Sequence, residues 1–416
     1  MNILLVSPYI PFPPITGGKV RVLNFLRNLS RNNKVTLVCL LKTKEELQDI
    51  SEIDKICYRV IPVIRKPAWS VKNLIWALFS RYSFLTIVNN FSKETEDAIL
   101  QAYNEEKPDI IHLETFYMAQ SFLAVKPHLR VPCLLSKVDV EAQVYFRNAR
   151  VSHNPLLKVL GYIDARKMLN YEIDVCQYFE HISAASKVDE DLLNREMNKR
   201  GLTKPIEIIP NGVDTTHFQP VKNVGKKEKP TILFMGNFRY FANTDAVFYF
   251  IEEIYPRIKK KIPDVRFVVV GPRLVGGIQK NLSGDVGTLA REDITVTGLV
   301  TEEEKLSLLS SSWVTVAPIR IGSGTKLKIL ESMSMQLPVV ATSVGIEGIE
   351  AREGEEVFVR DDPKVFADAV ITLLQDEKKR EEMGKSARVL MQKEYDWVSI
   401  TEKLERLYKR MIEKYG

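Results

Sequence analysis

Cysteine is scarce in this chain of 416 residues, and long hydrophobic runs are missing. The four cysteines lie far apart, with no close pair, so neither a zinc site nor a redox pair is indicated: Cys39, Cys57, Cys133 and Cys176. The N-terminus passes directly into an apolar strand-like stretch at residues 3–6, without the basic region of a signal peptide, and no apolar segment is long enough for a transmembrane helix. These absences predict a cytoplasmic protein.

Several sequence signatures are also missing. No G-x-G-x-x-G follows the first strand, which argues against a nicotinamide-dependent oxidoreductase, and no G-x-x-x-x-G-K-[ST] P-loop is present. Low-complexity tracts and short-period repeats are absent, which excludes a solenoid. Hydrophobic residues make up 45% and charged residues 27%, as in globular proteins, and the length predicts two sizeable domains.

Positive charge is distributed unevenly along the chain. The net charge is +6, and the segment from Lys55 to Lys93 contains seven basic residues and no acidic one, with aromatic residues between them. This segment either lies on an anionic membrane surface, which would place the protein at the inner face of the cell membrane, or forms an ordinary amphipathic helix with a solvated basic face. No nucleic-acid recognition motif accompanies the charge, so nucleic acid is not an expected partner.

Short apolar runs alternate with helical patterns along the whole chain. This alternation predicts an α/β fold with mainly parallel sheets, in two doubly wound domains in tandem. We place the boundaries at residues 1–205 and 206–395, with a last helix at about 396–416 returning to the first domain. Because ligands of such folds bind at the carboxyl ends of the strands, the loops there are the candidate sites.

Four of these loops stand out. Gly17 and Gly18 follow a proline-rich loop and begin a helix, where free N–H groups could receive an anion, although a plain turn would look the same. Asn211 and Gly212, in IIPNGVD between the two series, predict a tight turn that tolerates left-handed backbone. Gly236 ends the first strand of the second series, and the following 243–245 predict a helix cap. The last loop is RIGSGTKLKILE, residues 320–331, where small residues, lysines and a carboxylate precede a helical pattern.

Together these motifs resemble the family-4 glycosyltransferases of the GT-B fold. The resemblance is carried by SPYIPFPPITGG, IEIIPNGVDTTHF, ILFMGNFRYFANTDAVFYF, FVVVG, ITVTG and KLKILESMSMQLPVVATSVGIEGI, and it spans almost the whole chain. It implies two Rossmann-like domains facing across a cleft, the first binding the acceptor and the second a nucleotide-sugar donor. It further implies transfer with retention of anomeric configuration and no required metal or other cofactor.

The resemblance also assigns donor-binding residues. Glu331 matches the family glutamate that hydrogen-bonds the ribose, whereas Ser323 stands where the family has another glutamate. Asn237 and Asn243 occupy the places of the family's diphosphate-binding arginine and lysine. Arg320 and Lys328 are the expected substitutes, with Lys326 less favoured, since two residues apart on a helix cannot share a face. The remaining expected donor contacts are Gly236, Arg239, Gly322, Gly324 and Leu327.

On the acceptor side, the run SKVDVE, residues 136–141, replaces a family histidine by a valine and resembles a subgroup of bacterial exopolysaccharide-associated transferases. Asp139 or Glu141 could orient the acceptor hydroxyl, accept its proton, or only cap the following helix. His112 ends a strand and could face the cleft, or be structural.

The sequence therefore predicts a metal-independent, retaining hexosyltransferase of cell-surface polysaccharide or glycoconjugate synthesis. Its expected partners are a nucleotide sugar and a glycan, lipid-linked or other hydroxyl acceptor. Two alternatives stay open: a catalytically silent nucleotide-sugar or glycan-binding protein, and a nucleotide-sugar epimerase of the same fold.

Overall fold

The computed structural model describes residues 1–65, 92–151, 154–221, 225–226, 228–272, 289–322 and 324–416. The chain divides into two compact units, Met1–Asn211 with Trp397–Gly416, and Gly212–Asp396. The first unit extends beyond the predicted boundary at residue 205, because the strand Ile206–Ile208 pairs with the sheet of that unit.

The first unit contains a parallel sheet of seven strands in the order β3-β2-β1-β4-β5-β6-β7. The strands are β1 Asn2–Ser7, β2 Lys34–Leu41, β3 Arg59–Ile64, β4 Ile110–Glu114, β5 Cys133–Ser136, β6 His181–Ala184 and β7 Ile206–Ile208. From β1 the chain adds β2 and β3 on one side of β1, and then returns to place β4 on the other side of β1. This is the doubly wound arrangement. The central strands are buried along their length, as expected of a parallel sheet covered on both faces.

Helices cover this sheet. Their bounds are Gly17–Leu29, Ile50–Asp54, Lys93–Glu106, Ala119–Val125, Glu141–Val151, Pro155–Cys176, Lys187–Asn198 and Trp397–Tyr415, with 3₁₀ turns at Lys44–Asp49, Phe116–Met118 and Lys126–His128. The last helix buries a stripe at helical spacing, formed by Ile400, Leu404, Leu407 and Met411, in the core beneath Gly17–Leu29.

The second unit contains a parallel sheet of six strands in the order β10-β9-β8-β11-β12-β13. The strands are β8 Thr231–Met235, β9 Arg266–Val270, β10 Ile294–Gly298, β11 Val314–Ala317, β12 Val339–Ala341 and β13 Phe358–Val359. The helices are Phe241–Tyr249, Tyr255–Lys261, Glu302–Ser311, Leu327–Ser334, Ser343–Ile346, Pro363–Gln375 and Glu377–Leu390, with π-helical segments at Phe250–Ile254 and Met391–Tyr395. The predicted pair of doubly wound α/β sheets is therefore confirmed.

The basic segment predicted for membrane contact lies mostly outside the described residues, at 66–91. In the part that is described, Arg59 forms an ion pair with Glu106 at 2.8 Å, and Lys55 pairs with Glu52. The positive charges of Lys55 and Arg59 are thus partly neutralised by acidic residues that lie outside the segment 55–93. Among the helices of the described ranges, none is both long and apolar enough to cross a membrane.

Candidate functional site

The loops after β8 and β9 approach each other through two glycines. Gly271 has φ +146°, and a Cβ built there would lie 1.7 Å from the carbonyl oxygen of Gly236. At Gly236 a Cβ would lie 2.9 Å from the Asn243 side chain. Only glycine allows this close backbone approach, which places Asn243 directly over the end of β8.

Lys328 lies in the first turn of the helix Leu327–Ser334 and reaches the same loop. Its Nζ donates to Oδ1 of Asn243 at 2.8 Å and lies 4.2 Å from the centre of the Phe234 ring. The ammonium thus lies beside Asn243, one of the two positions at which the resemblance expects a family cation. Asn243 accepts this bond while its Nδ2 donates to the Asn237 carbonyl at 2.8 Å, so the predicted helix cap at 243–245 is wrong. The helix begins earlier, at Phe241.

The ammonium of Lys328 is poorly stabilised in the ligand-free protein. Burial, reinforced by the positive charge of Lys326, lowers the pKa of Lys328 to about 7, and the negative charge of Glu331 offsets only part of this effect. A bound anion would supply the missing negative charge.

The charge of Lys326 lowers the pKa of Lys328, so the two side chains lie close together. The helical spacing argument had predicted that they lie on different faces of the helix. The reason is that Lys326 precedes the helix and has extended backbone, with φ −91° and ψ 104°. The rule for positions two apart on a helix therefore does not apply to this pair.

Glu331 lies one turn further along the helix, on the same side as Lys328. Its Oε1 receives an ion pair from Nζ of Lys305 at 3.0 Å, and Lys305 lies 4.6 Å from the Phe218 ring centre. Lys305 holds one carboxylate oxygen of Glu331 and so orients the group. No local pattern pointed to Lys305, because its partner is 26 residues away in the chain.

Arg320 is engaged elsewhere. Its guanidinium forms a bidentate ion pair with Asp245, at 3.0 Å from Nε and 2.6 Å from Nη2, and stacks 4.2 Å from the Tyr249 ring centre. Its charge is therefore already matched by a carboxylate, unlike that of Lys328. Sequence reasoning could not reveal Asp245 as the partner.

The loop between Arg320 and the helix contains two glycines with left-handed backbone, Gly322 at φ 129° and Gly324 at φ 69°. Ser323 between them lies outside the described residues. Leu327 is the first residue of the helix and is half-buried. Arg239 is exposed, and its backbone N–H donates to Oδ1 of Asn237 at 3.0 Å.

In the first unit, the helix Gly17–Leu29 begins against Tyr9. A Cβ built on Gly18 would lie 2.2 Å from the Tyr9 hydroxyl, so glycine makes room for this ring. Burial and the negative charge of Glu114 raise the pKa of Tyr9, which keeps its hydroxyl neutral. The loop predicted at Gly17 and Gly18 thus adjoins a buried charged cluster.

The centre of that cluster is Arg21, which sequence reasoning missed. Arg21 is fully buried, and its Nε lies 3.3 Å from Oε1 of Glu114. Its two other nitrogens donate to the carbonyls of Ile209 and Pro210, both at 2.9 Å, and to Oδ1 of Asn211 at 3.1 Å. Arg21 therefore fixes the end of the first unit, since the units divide between Asn211 and Gly212.

The predicted turn at Asn211 and Gly212 does not form. The backbone there continues without a turn, and Gly212 does not adopt a left-handed φ. Asn211 is instead buried, and its Oδ1 accepts a hydrogen bond from Arg21.

His112 has a structural environment. The side chain is fully buried, with Nε2 2.9 Å from Oε2 of Glu114 and Nδ1 bonded to the hydroxyl of Tyr408 in the last helix. Burial opposes ionisation of Glu114, but the bonds from His112 and the charge of Arg21 outweigh it and lower the pKa of Glu114. Both ring nitrogens of His112 are thus engaged within the first unit, which favours the structural alternative, and the catalytic role stays a prediction.

Asp139 and Glu141 lie at the start of the helix Glu141–Val151, after β5. Loss of solvent, followed by the negative charge of Glu141, raises the pKa of Asp139 well above its usual range. Burial likewise raises the pKa of Glu141, although a hydrogen bond from Tyr117 opposes the rise. The two half-buried carboxyls form a pair that holds protons more tightly than ordinary side chains.

The cap of this helix is supplied by another residue. Glu172 accepts the backbone N–H groups of Glu141 and Ala142, both at 3.2 Å, and binds Nζ of the buried Lys137 at 2.9 Å. Because Glu172 already accepts two of the free N–H groups at the start of this helix, Asp139 and Glu141 are not needed to cap them. Within the described ranges, no group of three or more histidine, cysteine or acidic side chains could hold a metal ion.

Both halves of the chain match families of known proteins. Residues 15–217 match the family described as Glycosyltransferase Family 4, and residues 229–376 match the family described as Glycosyl transferases group 1. The chain belongs to the family-4 glycosyltransferases. The resemblance seen in the sequence is thereby confirmed, and both candidate sites lie within the matched residues.

This glycosyltransferase has a relative that matches it over nearly its full length at low identity. It is 22% identical over 404 residues to an uncharacterized 44.6 kDa protein in the cps region of Klebsiella pneumoniae, covering 95% of this chain and 96% of the other. Among solved structures, sucrose-phosphate synthase from Thermosynechococcus elongatus superposes with a TM-score of 0.72 at 16% identity, with both chains fully covered. Anabaena HepE in complex with UDP and glucose gives 0.68 at 14% identity, covering 99% of this chain and 100% of the other. These likenesses show the GT-B fold.

Proposed function

We propose that this glycosyltransferase moves a hexosyl group from a nucleoside-diphosphate sugar to a hydroxyl group of a glycan or lipid-linked acceptor, with retention of anomeric configuration. One observation carries the proposal: the half-buried ammonium of Lys328 stands at a helix start, with the carboxylate of Glu331 one turn further along. An ammonium and a carboxylate at this spacing suit a diphosphate and the adjoining ribose. The complex of HepE with UDP and glucose supports a uridine nucleotide as the first donor to test.

In this proposal Lys328 stabilises the negative charge that develops on the leaving group. Departure of the nucleoside diphosphate builds negative charge on its phosphate oxygens, and a fixed cation stabilises that charge more than the charge of the intact donor. The N–H groups at the start of Leu327–Ser334 add to this effect. The proposal therefore needs no divalent cation, so activity should persist in a chelator. Arg320 contributes only if its ion pair with Asp245 opens.

The acceptor hydroxyl is assigned to Asp139 and Glu141. A carboxylate within hydrogen-bond reach can orient the hydroxyl, while the leaving phosphate takes its proton during attack on the same face of the sugar. We assign the reaction to cell-surface polysaccharide or glycoconjugate synthesis, and the cps-region origin of one relative supports that role.

The test is turnover of a panel of uridine and guanosine diphosphate sugars, with product configuration read by NMR. The proposal expects release of nucleoside diphosphate that depends on an acceptor, a product of the donor's configuration, and a strong loss in Lys328→Met. Lys260→Met, which removes an exposed lysine of the same unit, is the matched control. Conversion of the donor without any acceptor would favour the epimerase alternative, and binding without turnover the silent binding protein.

A further inference from the structure

The helix Pro155–Cys176 exposes an apolar stripe on the side that faces solvent. Leu156, Val159, Leu160 and Ile163 follow the i, i+3, i+4, i+7 spacing of one helix face, and their exposed fractions are 67%, 56%, 48% and 50%. Leu157 beside them is 59% exposed. A surface helix of a globular domain ordinarily has the opposite arrangement, with its apolar face inward.

This helix is well formed and held from behind. Oδ1 of Asn154 accepts the backbone N–H groups of Leu156 and Leu157, at 2.9 and 3.2 Å, which caps the helix start. On the opposite side, a Cβ built on Gly161 would lie 3.0 Å from that of Ala149 in the neighbouring helix. Two turns further on, buried side chains such as Met168 anchor the helix in the core. The stripe is thus presented on a rigid support.

The charge around the stripe has one predominant sign. Residues 142–167 contain five basic side chains and one acidic one, Asp164: Arg147, Arg150, Lys158, Arg166 and Lys167. Arg166 and Lys167 continue the same face one turn beyond Ile163, and both Lys158 and Arg166 are exposed. Aliphatic side chains bordered by cations complement an anionic bilayer, where the apolar groups enter the acyl boundary and the cations contact lipid headgroups.

We propose that the helix face formed by Leu156, Val159, Leu160 and Ile163, with its basic border, is a docking surface for an anionic lipid bilayer. A second copy of the chain fits this face less well, because a symmetric contact brings the same cations together. These residues are distant in sequence from the segment 55–93, and the inference does not depend on the proposed transferase activity.

Flotation with vesicles tests the proposal, using phosphatidylcholine alone and phosphatidylcholine with 30% phosphatidylglycerol, a composition set at roughly that of an anionic membrane. The intact protein should bind the anionic vesicles, and more weakly as salt is raised. Leu156→Ser with Leu160→Ser should lower the partition coefficient by about tenfold or more, because two aliphatic side chains no longer enter the bilayer. Lys158→Gln with Arg166→Gln should lower it by roughly tenfold on anionic vesicles only.

The matched control is Val365→Ser with Val389→Ser, which removes two exposed apolar side chains of the second unit. It should bind like the intact protein, and far-ultraviolet circular dichroism should show that every variant is folded. Absence of binding to anionic vesicles, or equal binding by the leucine variant, would overturn the proposal. So would a dimer in light scattering that the leucine variant converts to monomers without any vesicle binding, since the occupant would then be a second copy.

Discussion

Binding of the donor should be coupled to protonation of Lys328. Its pKa of about 7 in the ligand-free protein results from burial and from Lys326. A diphosphate placed beside the ammonium raises that pKa, so the complex contains the protonated form at pH values where the free protein is largely neutral. Binding above pH 7 therefore takes up a proton, and affinity falls as pH rises.

The magnitude follows from the fraction of Lys328 that is protonated. With a pKa of about 7, that fraction is about 0.9 at pH 6 and about 0.1 at pH 8, so the dissociation constant of a nucleotide sugar should rise about tenfold, or about 1.4 kcal/mol. A nucleotide sugar is the appropriate ligand, because each of its two phosphates has a single, strongly acidic hydroxyl that does not titrate in this range.

Isothermal titration calorimetry in two buffers of different ionisation enthalpy measures both the affinity and the protons taken up. The uptake should approach one proton at pH 8, and Lys328→Met should show weaker binding at pH 6 with little dependence on pH. Lys260→Met should behave like the intact protein. If the intact protein binds without proton uptake, or Lys328→Met keeps the same pH dependence, the assignment of the diphosphate to Lys328 is refuted.

Four further outcomes are expected. In the ligand-free protein, Lys328→Met should raise the free energy of unfolding by up to roughly 4 kcal/mol at pH 6, with the gain shrinking towards pH 10, because a cation with a lowered folded pKa costs stability at low pH. Thermal denaturation at several pH values checks this, and an unchanged melting temperature at pH 6 would contradict it. Glu331→Gln should weaken nucleotide binding about tenfold or more and reduce the preference for ribose over deoxyribose, as measured with paired ligands; a retained preference would place the ribose elsewhere. Asp139→Asn should lower kcat roughly 100-fold or more. In the intact protein the rate should rise with pH as this carboxyl, whose pKa is raised, loses its proton, and the variant should lack that rise. An unchanged pH–rate profile would exclude Asp139 from the mechanism. Gly271→Ala should destabilise the protein by about 3 kcal/mol or more, since its Cβ meets backbone at 1.7 Å, whereas Gly225→Ala, with nothing within 4 Å, should change little in a urea titration.

The strands of the second unit could be predicted closely from the sequence. Most are short, buried apolar runs bounded by polar residues, and parallel strands covered on both faces have that pattern. Strand β3 is harder to recognise in the sequence, because it is a half-buried edge strand containing Pro62, and proline lacks the N–H donor expected of a central strand.

The candidate donor site could be predicted as a set of residues but not as a set of pairs. Glu331 was proposed because it matches a family residue, and Lys328 because it is a cation near Glu331 in a chain that lacks the family's usual cations. The partners of Arg320 and Glu331 come from elements 75 and 26 residues away, which local patterns do not encode.

Buried polar groups were the hardest to predict. Arg21 occupies a polar position in an amphipathic helix and looks like a solvated side chain, yet its partners at residues 209–211 make it the centre of the first unit's charged cluster. His112 was expected to end a strand, but β4 continues to Glu114, and the ring of His112 bonds to Tyr408, nearly 300 residues later in the chain.

The most direct test of the account is a crystal structure of the protein with a uridine diphosphate sugar. The account predicts a phosphate oxygen within hydrogen-bond distance of Nζ of Lys328, a ribose hydroxyl on the carboxylate of Glu331, and an intact ion pair between Arg320 and Asp245. A nucleotide whose diphosphate lies on Arg320, with that ion pair broken and Lys328 still bonded to Asn243, would contradict it.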